Sequence, residues 1–296
     1  MQPASHLLQP ADLNGLNNME LIARSVVQGL LLGLHRSPQF GFSQEFAEYR
    51  PYRDGDDPRH VDWNVFARSD KMVVKQFLGD TNAHLMVLLD ASASMGFGQP
   101  VSKLRYAQML AACLTFLAGR QHDASGLLVF DEAVRAFHPP ATKPGARQAM
   151  LHTLEAVEPS QGTRYGPPFE AFSQQIRRRG MVAVISDFFE DPQLMIEAVQ
   201  PLCLAGHDCI FFQVLDGEEL APRARGPRLL KDLESGQAVE VSEQFLREQY
   251  PARMAEHIQS VADTVGRAGA QHVLLDTRHP LGPALRQYLQ FRKHRQ

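Results

Sequence analysis

Asp90, Ser92 and Ser94 stand at alternate positions directly after the apolar run His84–Leu89 (HLMVLL). A carboxylate and two hydroxyls spaced this way put three oxygen donors on one side of a strand-end loop. Oxygen donors suit hard cations, and Mg2+ in particular takes octahedral oxygen coordination while keeping some of its water. Mn2+ or Ca2+ would draw on the same donors. Two more oxygen-bearing side chains follow apolar runs further along. Thr163 lies in Gln161-Gly162-Thr163, a turn-rich loop ahead of a helix, and Asp187 follows the run Met181–Ile185 (MVAVI). In isolation such serines and aspartates also cap helices and form turns. Three elements in order behind strand-like runs favour a cation. One carboxylate beside two neutral hydroxyls leaves that cation under-neutralised, so it attracts a further carboxylate from outside.

The elements that must position these residues are short and regular. From about residue 82, continuous apolar runs alternate with helical patterns, which predicts a parallel sheet with helices on both faces. The strand runs are His84–Leu89, Ser125–Phe130, Met181–Ile185, Cys209–Leu215 and His272–Leu275. Helical periodicity covers Ser102–Gly119, Ala146–Val157, Pro168–Arg178, Pro192–Leu204, Ser242–Arg267 and Pro283–Lys293. The first of these opens on a capping serine. Arg228–Leu233 and Gln237–Val241, joined through Glu234-Ser235-Gly236, read as a hairpin. Loops at the carboxyl ends of such strands are where ligands bind. Asp90, Thr163 and Asp187 all fall in such loops. The expected division is an N-terminal module over residues 1–80, irregular apart from one helix near Asn18–His35, and an α/β domain over 81–296.

Composition narrows the function classes. A net charge of −3 offers no basic excess for nucleic acid or an anionic membrane. Cys113, Cys203 and Cys209 are too few for a disulfide framework and lack paired zinc spacing, so they read as reduced, buried thiols. Leu21–Leu34 is too short to span a bilayer and contains Arg24 and Gln28. Its apolar positions, Leu21, Ile22, Val26, Leu30 and Leu34, suit a helix packed on protein. With no signal-peptide pattern, the reading is a soluble, cytoplasmic chain. No G-x-x-x-x-G-K-[ST] is present for ATP hydrolysis, and no nucleophile elbow surrounds Ser92 or Ser94.

Asp90-x-Ser92-x-Ser94, Thr163 and Asp187 together resemble the von Willebrand factor A family, whose metal-ion-dependent adhesion site reads D-x-S-x-S, then Thr, then Asp on three loops. The resemblance implies a doubly wound, mainly parallel sheet. It also implies that Ser92, Ser94 and Thr163 hold a metal directly or through water, with Asp90 and Asp187 acting mainly through bridging waters. The open position would receive a partner's carboxylate.

A second signature lies upstream, in Phe46–Phe77. Tyr49-Arg50-Pro51-Tyr52, Gly55-Asp56-Asp57-Pro58-Arg59, Asp62-Trp63 and Ala67-Arg68 occur in fixed order. This segment resembles the hallmark of the bacterial family called domain of unknown function 58, whose members carry an A-like domain behind it. Such proteins are commonly encoded beside MoxR-type AAA+ ATPases, which implies a protein partner: that ATPase or its client. Longer members carry transmembrane helices ahead of the signature, and this chain shows none. The segment mixes Arg50, Arg53, Arg59 and Arg68 with Asp54, Asp56, Asp57 and Asp62, a pattern suited to internal cross-linking or to docking a partner. Trp63 is expected to bury its ring, and Lys71–Phe77 to form an edge strand. The sequence therefore predicts a metal-dependent binding module with no catalytic residues. The alternatives are a Mg2+-dependent phosphohydrolase or a scaffold with a vestigial metal site.

Overall fold

Residues 8–35, 46–52, 61–69, 71–77, 84–160, 162–176, 178–223, 226–234 and 236–293 are described by the structure, a computed structural model. The chain divides into two compact units, Met1–Gly29 with Ala83–Gln296, and Leu30–Asn82. The first helix and the second as far as Gly29 thus belong with the larger unit, and the smaller unit runs from Leu30 through the signature segment.

In chain order the elements are α1 (Pro10–Asn14), α2 (Met19–His35), β1 (Phe46–Pro51), α3 (Trp63–Ser69), β2 (Val73–Phe77), β3 (His84–Asp90), α4 (Lys103–Arg120), β4 (Ala124–Phe130), β5 (Val134–Ala141), α5 (Pro144–Ala156), α6 (Gly166–Gln175), β6 (Met181–Ser186), α7 (Pro192–Leu204), β7 (Asp208–Leu215), α8 (Gly217–Leu220), β8 (Arg228–Lys231), β9 (Ala238–Val241), α9 (Tyr250–Arg267), β10 (Gln271–Asp276) and α10 (Gly282–Lys293). A six-stranded sheet of order β10-β7-β6-β3-β4-β5 forms the larger unit. Every neighbour pair is parallel except β4 with β5. Helices α4, α5 and α10 cover one face, and α6, α7 and α9 the other. The arrangement is the doubly wound, von Willebrand factor A-like fold.

Burial on both faces explains the continuous apolar strands: β4 and β6 have no residue outside the core, and β3 only its first. Alternation sends Met86 and Leu88 into a cluster with Phe130, Tyr165, Phe169 and Phe188. The same parity sets Asp90 at the carboxyl end of β3 on that face. The chain leaves β3 toward β4 on one side, while β6 and β7 lie on the other. The carboxyl ends of β3 and β6 therefore meet at the topological switch point, where a ligand crevice opens.

Three elements differ from expectation. β5 has no counterpart among the strand runs; its VRAFHPPA carries Pro139 and Pro140, which an edge strand tolerates because one row of its amides needs no partner. The helix expected from Ser242 is interrupted by a π-helical turn over Phe245–Gln249 before α9 begins. Leu21 is 48% exposed, so the buried face of α2 runs through Ile22, Val26 and Leu30. Among the described residues no helix is long and apolar enough to cross a membrane.

In the smaller unit β1 and β2 pair antiparallel, with a bridge from Val61 to Val74. Trp63 does not bury its ring: it is 55% exposed and meets Phe66 edge to face at 6.1 Å. The two residues before it, Val61 and Asp62, are buried instead, as is Val74. Trp63 opens a two-turn helix and lies along its outer side. Asp62 accepts from the Val65 amide at 3.3 Å, a capping role. Arg53, Asp54, Gly55, Asp56, Asp57, Pro58 and Arg59 lie outside the described residues, as do Gln161 and Arg177.

Gly126, in the middle of β4, marks where β5 closes on the sheet. A Cβ there would meet Met86 Sδ, and would lie 2.7 Å from the His138 carbonyl oxygen and 2.9 Å from Pro140 N. Two of those atoms are backbone and cannot rotate away. Gly126→Ala should lower unfolding free energy by about 1–3 kcal/mol. Gly266, inside α9 with open space at its Cβ position, is the control. Gly266→Ala should raise stability by up to about 1 kcal/mol in the same urea titration. Equal effects of the two would contradict the packing described.

Candidate metal centre

Register brings the first two site elements together. Leu89 pairs with Ile185, which sets Asp90 beside Ser186 at the ends of adjacent parallel strands. Asp90 is fully buried. Its Oδ1 accepts the Ser92 amide at 2.9 Å, closing the loop into a turn that carries Ser92 and Ser94. The two serine hydroxyls lie 3.0 Å apart. Asp90 Oδ2 accepts the Ser186 hydroxyl at 2.6 Å, and the Thr163 hydroxyl stands 3.5 Å from the same oxygen. Thr163 is held there by its own loop, whose Ser160 amide donates to the Ala91 carbonyl and whose Arg164 amide donates to the Asp131 carbonyl.

A line of hydroxyls fixes the Asp90 carboxylate. Tyr165 Oη is 2.7 Å from Ser186 Oγ, and the Phe188 amide donates to that same Oγ at 3.1 Å. Ser186 has one proton and gives it to Asp90, so it accepts from Tyr165 and Phe188. The Tyr165 ring cannot drift, because it packs against Phe130, Phe169 and Phe188 at 5.7–5.9 Å. Phe188 itself sits at φ 57, an unusual left-handed conformation for a bulky residue. That backbone reverses the chain directly behind Asp187.

Asp187 is buried and turned toward a group that sequence reasoning missed. Lys103, the first residue of α4 and fully buried, donates to Asp187 Oδ2 at 2.7 Å and to Glu219 Oε1 at 2.6 Å. Glu219 is positioned by a capping box in α8, where its other oxygen accepts the Asp216 amide at 2.8 Å. The Lys103 ammonium also lies 4.9 Å over the Phe189 ring. The nearby Asp131 is a turn former, accepting from the Ala133 amide and the Ser160 hydroxyl. A signal for Lys103 existed only as a lysine at a helix start, which is ordinarily a solvated residue.

Electrostatics single out Asp90. Burial, and then the charge on Asp187, push its carboxyl up to about 7, against the hydrogen bonds from Ser186 and Ser92 that favour ionisation. Among the described residues no ion pair reaches Asp90, whereas Asp187 has Lys103. Burial likewise raises the Glu219 carboxyl, with Lys103 opposing it, and the two carboxylates hold the Lys103 ammonium above its ordinary value despite burial. The donor set fits a hard cation: three hydroxyls and a carboxylate, all oxygen, from two loops that Asp90 links. Among the described residues no three His, Cys, Asp or Glu side chains are grouped to hold a metal, so the hydroxyls decide the fit. The site opens on a cleft of about 850 Å³ lined by Ser94, Phe97, Thr163, Phe189, Tyr250, and β8 with the turn after it.

Lys103→Met would leave two carboxylates in the interior without their cation. Breaking such a buried pair should cost about 3–5 kcal/mol of unfolding free energy at pH 7. The Glu219 carboxyl is already raised, so its protonation relieves the loss, and the deficit against wild type should shrink as pH falls from 7 to 5. Urea melts at the two pH values check this; a deficit that grows on acidification contradicts it.

The family model described as Protein of unknown function DUF58 matches residues 48–260. An uncharacterized protein of Mycobacterium tuberculosis is 31% identical over 269 residues, covering 88% of this chain and 84% of its own length. An uncharacterized protein of Mycobacterium bovis matches to the same extent. Among solved structures, the conserved hypothetical protein BatB from Bacteroides thetaiotaomicron aligns with a TM-score of 0.49 at 20% identity, over 71% of this chain and 99% of that one. The SpRpn10 VWA domain aligns with a TM-score of 0.39 at 13% identity, over 69% and 94%. The family match begins in β1, takes in every strand of the main sheet but β10 and ends in α9, and the mycobacterial likeness spans most of both chains: the chain belongs to the DUF58 family of proteins of unknown function.

Proposed function

We propose that the chain is a metal-dependent protein-binding module that captures a partner's carboxylate, serving as adaptor or co-chaperone of a MoxR-type AAA+ ATPase. The observation that carries this reading is the grouping of oxygen donors alone, around a buried carboxylate, at the mouth of a cleft. Ser92, Ser94 and Thr163 would hold the cation, with Asp90 and Asp187 acting through water. Mg2+ suits these donors, and Mn2+ or Ca2+ would use the same ones. When bound, the cation supplies positive charge to hold an incoming carboxylate. Asp90 balances that charge, and Ser186 and Tyr165 keep Asp90 aimed. Lys103 holds Asp187 through Oδ2, which sets its orientation before any ligand arrives. Family membership, and the MoxR association that the signature implies, support the partner class. The cytoplasm is the compartment such a partner would require.

The pH dependence follows from Asp90. Its carboxyl is raised from 3.8 to about 7 in the fold, so between those values the folded chain holds a proton that the unfolded chain has lost. Metal-free stability should therefore fall as pH rises from about 4 to 7. Asp90→Asn should flatten that slope. Cation binding needs the ionised form, so Mg2+ should raise the melting temperature more at pH 8 than at pH 6. Mg2+ at about 100 times its Kd should add about 2.7 kcal/mol, and nothing in Asp90→Asn. Capture of the ATPase should require Mg2+, be reversed by EDTA and fail in the folded Asp90→Asn variant. Capture indifferent to both would sink the proposal. Metal-dependent turnover of generic phosphoesters, lost in the same variant, would instead favour a phosphohydrolase.

A further inference from the structure

The β8–β9 hairpin brings a carboxylate of its own to the site. Glu234, in the turn between the strands, accepts the Thr163 amide on Oε2 at 3.2 Å and the Thr163 hydroxyl on Oε1 at 3.2 Å. That hydroxyl is the one standing 3.5 Å from Asp90 Oδ2, so two carboxylates bracket a single hydroxyl oxygen. The turn is built to present Glu234. The Glu234 amide donates to Asp232 Oδ1 at 2.9 Å, the Gly236 amide donates to the Asp232 carbonyl, and Gly236 adopts φ 74.

The hairpin holding it is weakly anchored. Every residue of β8 and all but the last of β9 are exposed; Leu229 is 68% and Val239 61% exposed. A two-stranded ribbon that buries no face is marginal on its own. Glu234 and the Thr163 loop therefore contribute to where the turn sits.

We infer that Glu234 is an internal ligand of the centre: its carboxylate holds the place that a partner's carboxylate takes, so partner capture proceeds by displacing the hairpin. This rests on the metal-dependent reading above and extends it to regulation of the same site. A partner must then offer a carboxylate together with enough apolar contact to outcompete a tethered rival. Tethering raises the rival's effective concentration to about the millimolar range, so an isolated carboxylate competes poorly and an extended acidic segment with apolar neighbours competes well. The apolar contact is at hand, because Phe97, Phe189 and Leu230 line the cleft beside Glu234.

Mn2+ is the probe, read by water-proton relaxation enhancement and by titration, on the full chain. Glu234 is exposed and caps no helix, so Glu234→Gln should fold like wild type. In that variant Mn2+ affinity should fall roughly tenfold, while the relaxation enhancement per bound ion rises as water gains a position. Acetate should then lower the enhancement in Glu234→Gln and leave wild type unchanged. Wild-type binding with an indistinguishable Glu234→Gln variant overturns the internal ligand and leaves the centre standing. No Mn2+ binding that depends on Asp90 overturns both.

Discussion

A carboxylate at the end of the central strand, out of contact with water, is the constraint around which the site is arranged. Asp90 is buried between the ends of β4 and β6, and strand parity leaves it no route to solvent. An isolated ionised carboxylate in such a place is untenable; it must protonate, accept hydrogen bonds or acquire a cation. The Ser92 amide and the Ser186 hydroxyl supply hydrogen bonds, yet its carboxyl still rises to about 7. Lys103 spends its ammonium on Asp187 and Glu219 instead. Among the described residues Asp90 is the carboxylate of the three that no ion pair reaches, and it stands among the hydroxyls of Ser92, Ser94 and Thr163. That grouping of oxygen donors is why the arrangement reads as a candidate cation centre.

Rigidity beneath the site follows from packing rather than from the polar groups themselves. Tyr165 is useful as a hydrogen-bond donor only because Phe130, Phe169 and Phe188 clamp its ring, and those aromatic pairs contribute about 0.5–1.5 kcal/mol each beyond area burial. The left-handed Phe188 ties the same cluster to the backbone turn behind Asp187. A left-handed bulky residue is strained by about 1–3 kcal/mol and persists only where its surroundings over-determine it. Here the burial of its ring against Tyr165 and Phe211 does so. Core packing and site geometry are therefore one structure, and a change in the aromatic cluster would be felt at Asp90.

How far the sequence revealed this depends on the range over which each signal acts. The parallel strands were legible because double-sided burial writes a continuous apolar run, and Asp90, Ser92 and Ser94 because their spacing is local. Asp187 followed from the rule that loops gather at carboxyl ends, whereas Thr163, between α5 and α6, was picked out by the order of the motif it resembles. Lys103, Glu219 and Glu234 were not legible. Each reaches the site from an element remote in sequence, and each alone looks like a surface charge. β5 was hidden because its prolines break the strand pattern that an edge position permits. Trp63 misled for the opposite reason: size and hydrophobicity favour burial on average, but its place at the start of a short helix faces it outward.

The contrast between the sheet and the β8–β9 hairpin bears on how the site could work. β3, β4 and β6 are interior strands whose opening requires unfolding the unit, whereas the hairpin exposes nearly all its side chains. Elements with few buried contacts open at a small fraction of the global stability. A rigid oxygen cluster beneath a loosely held acidic turn separates two tasks that conflict in one element. On the proposed reading the cluster would be preorganised to hold an ion, and the turn would give way to a partner. Glu190, whose carboxyl is raised first by burial and in part by the charge of Glu234, adds repulsion against that turn. Without a cation the acidic groups oppose one another and any acidic partner; on the proposed reading a bound cation would turn the same groups into its ligands. The ion would then set the sign of the site toward carboxylates, and the hairpin how readily the carboxylate already present is exchanged.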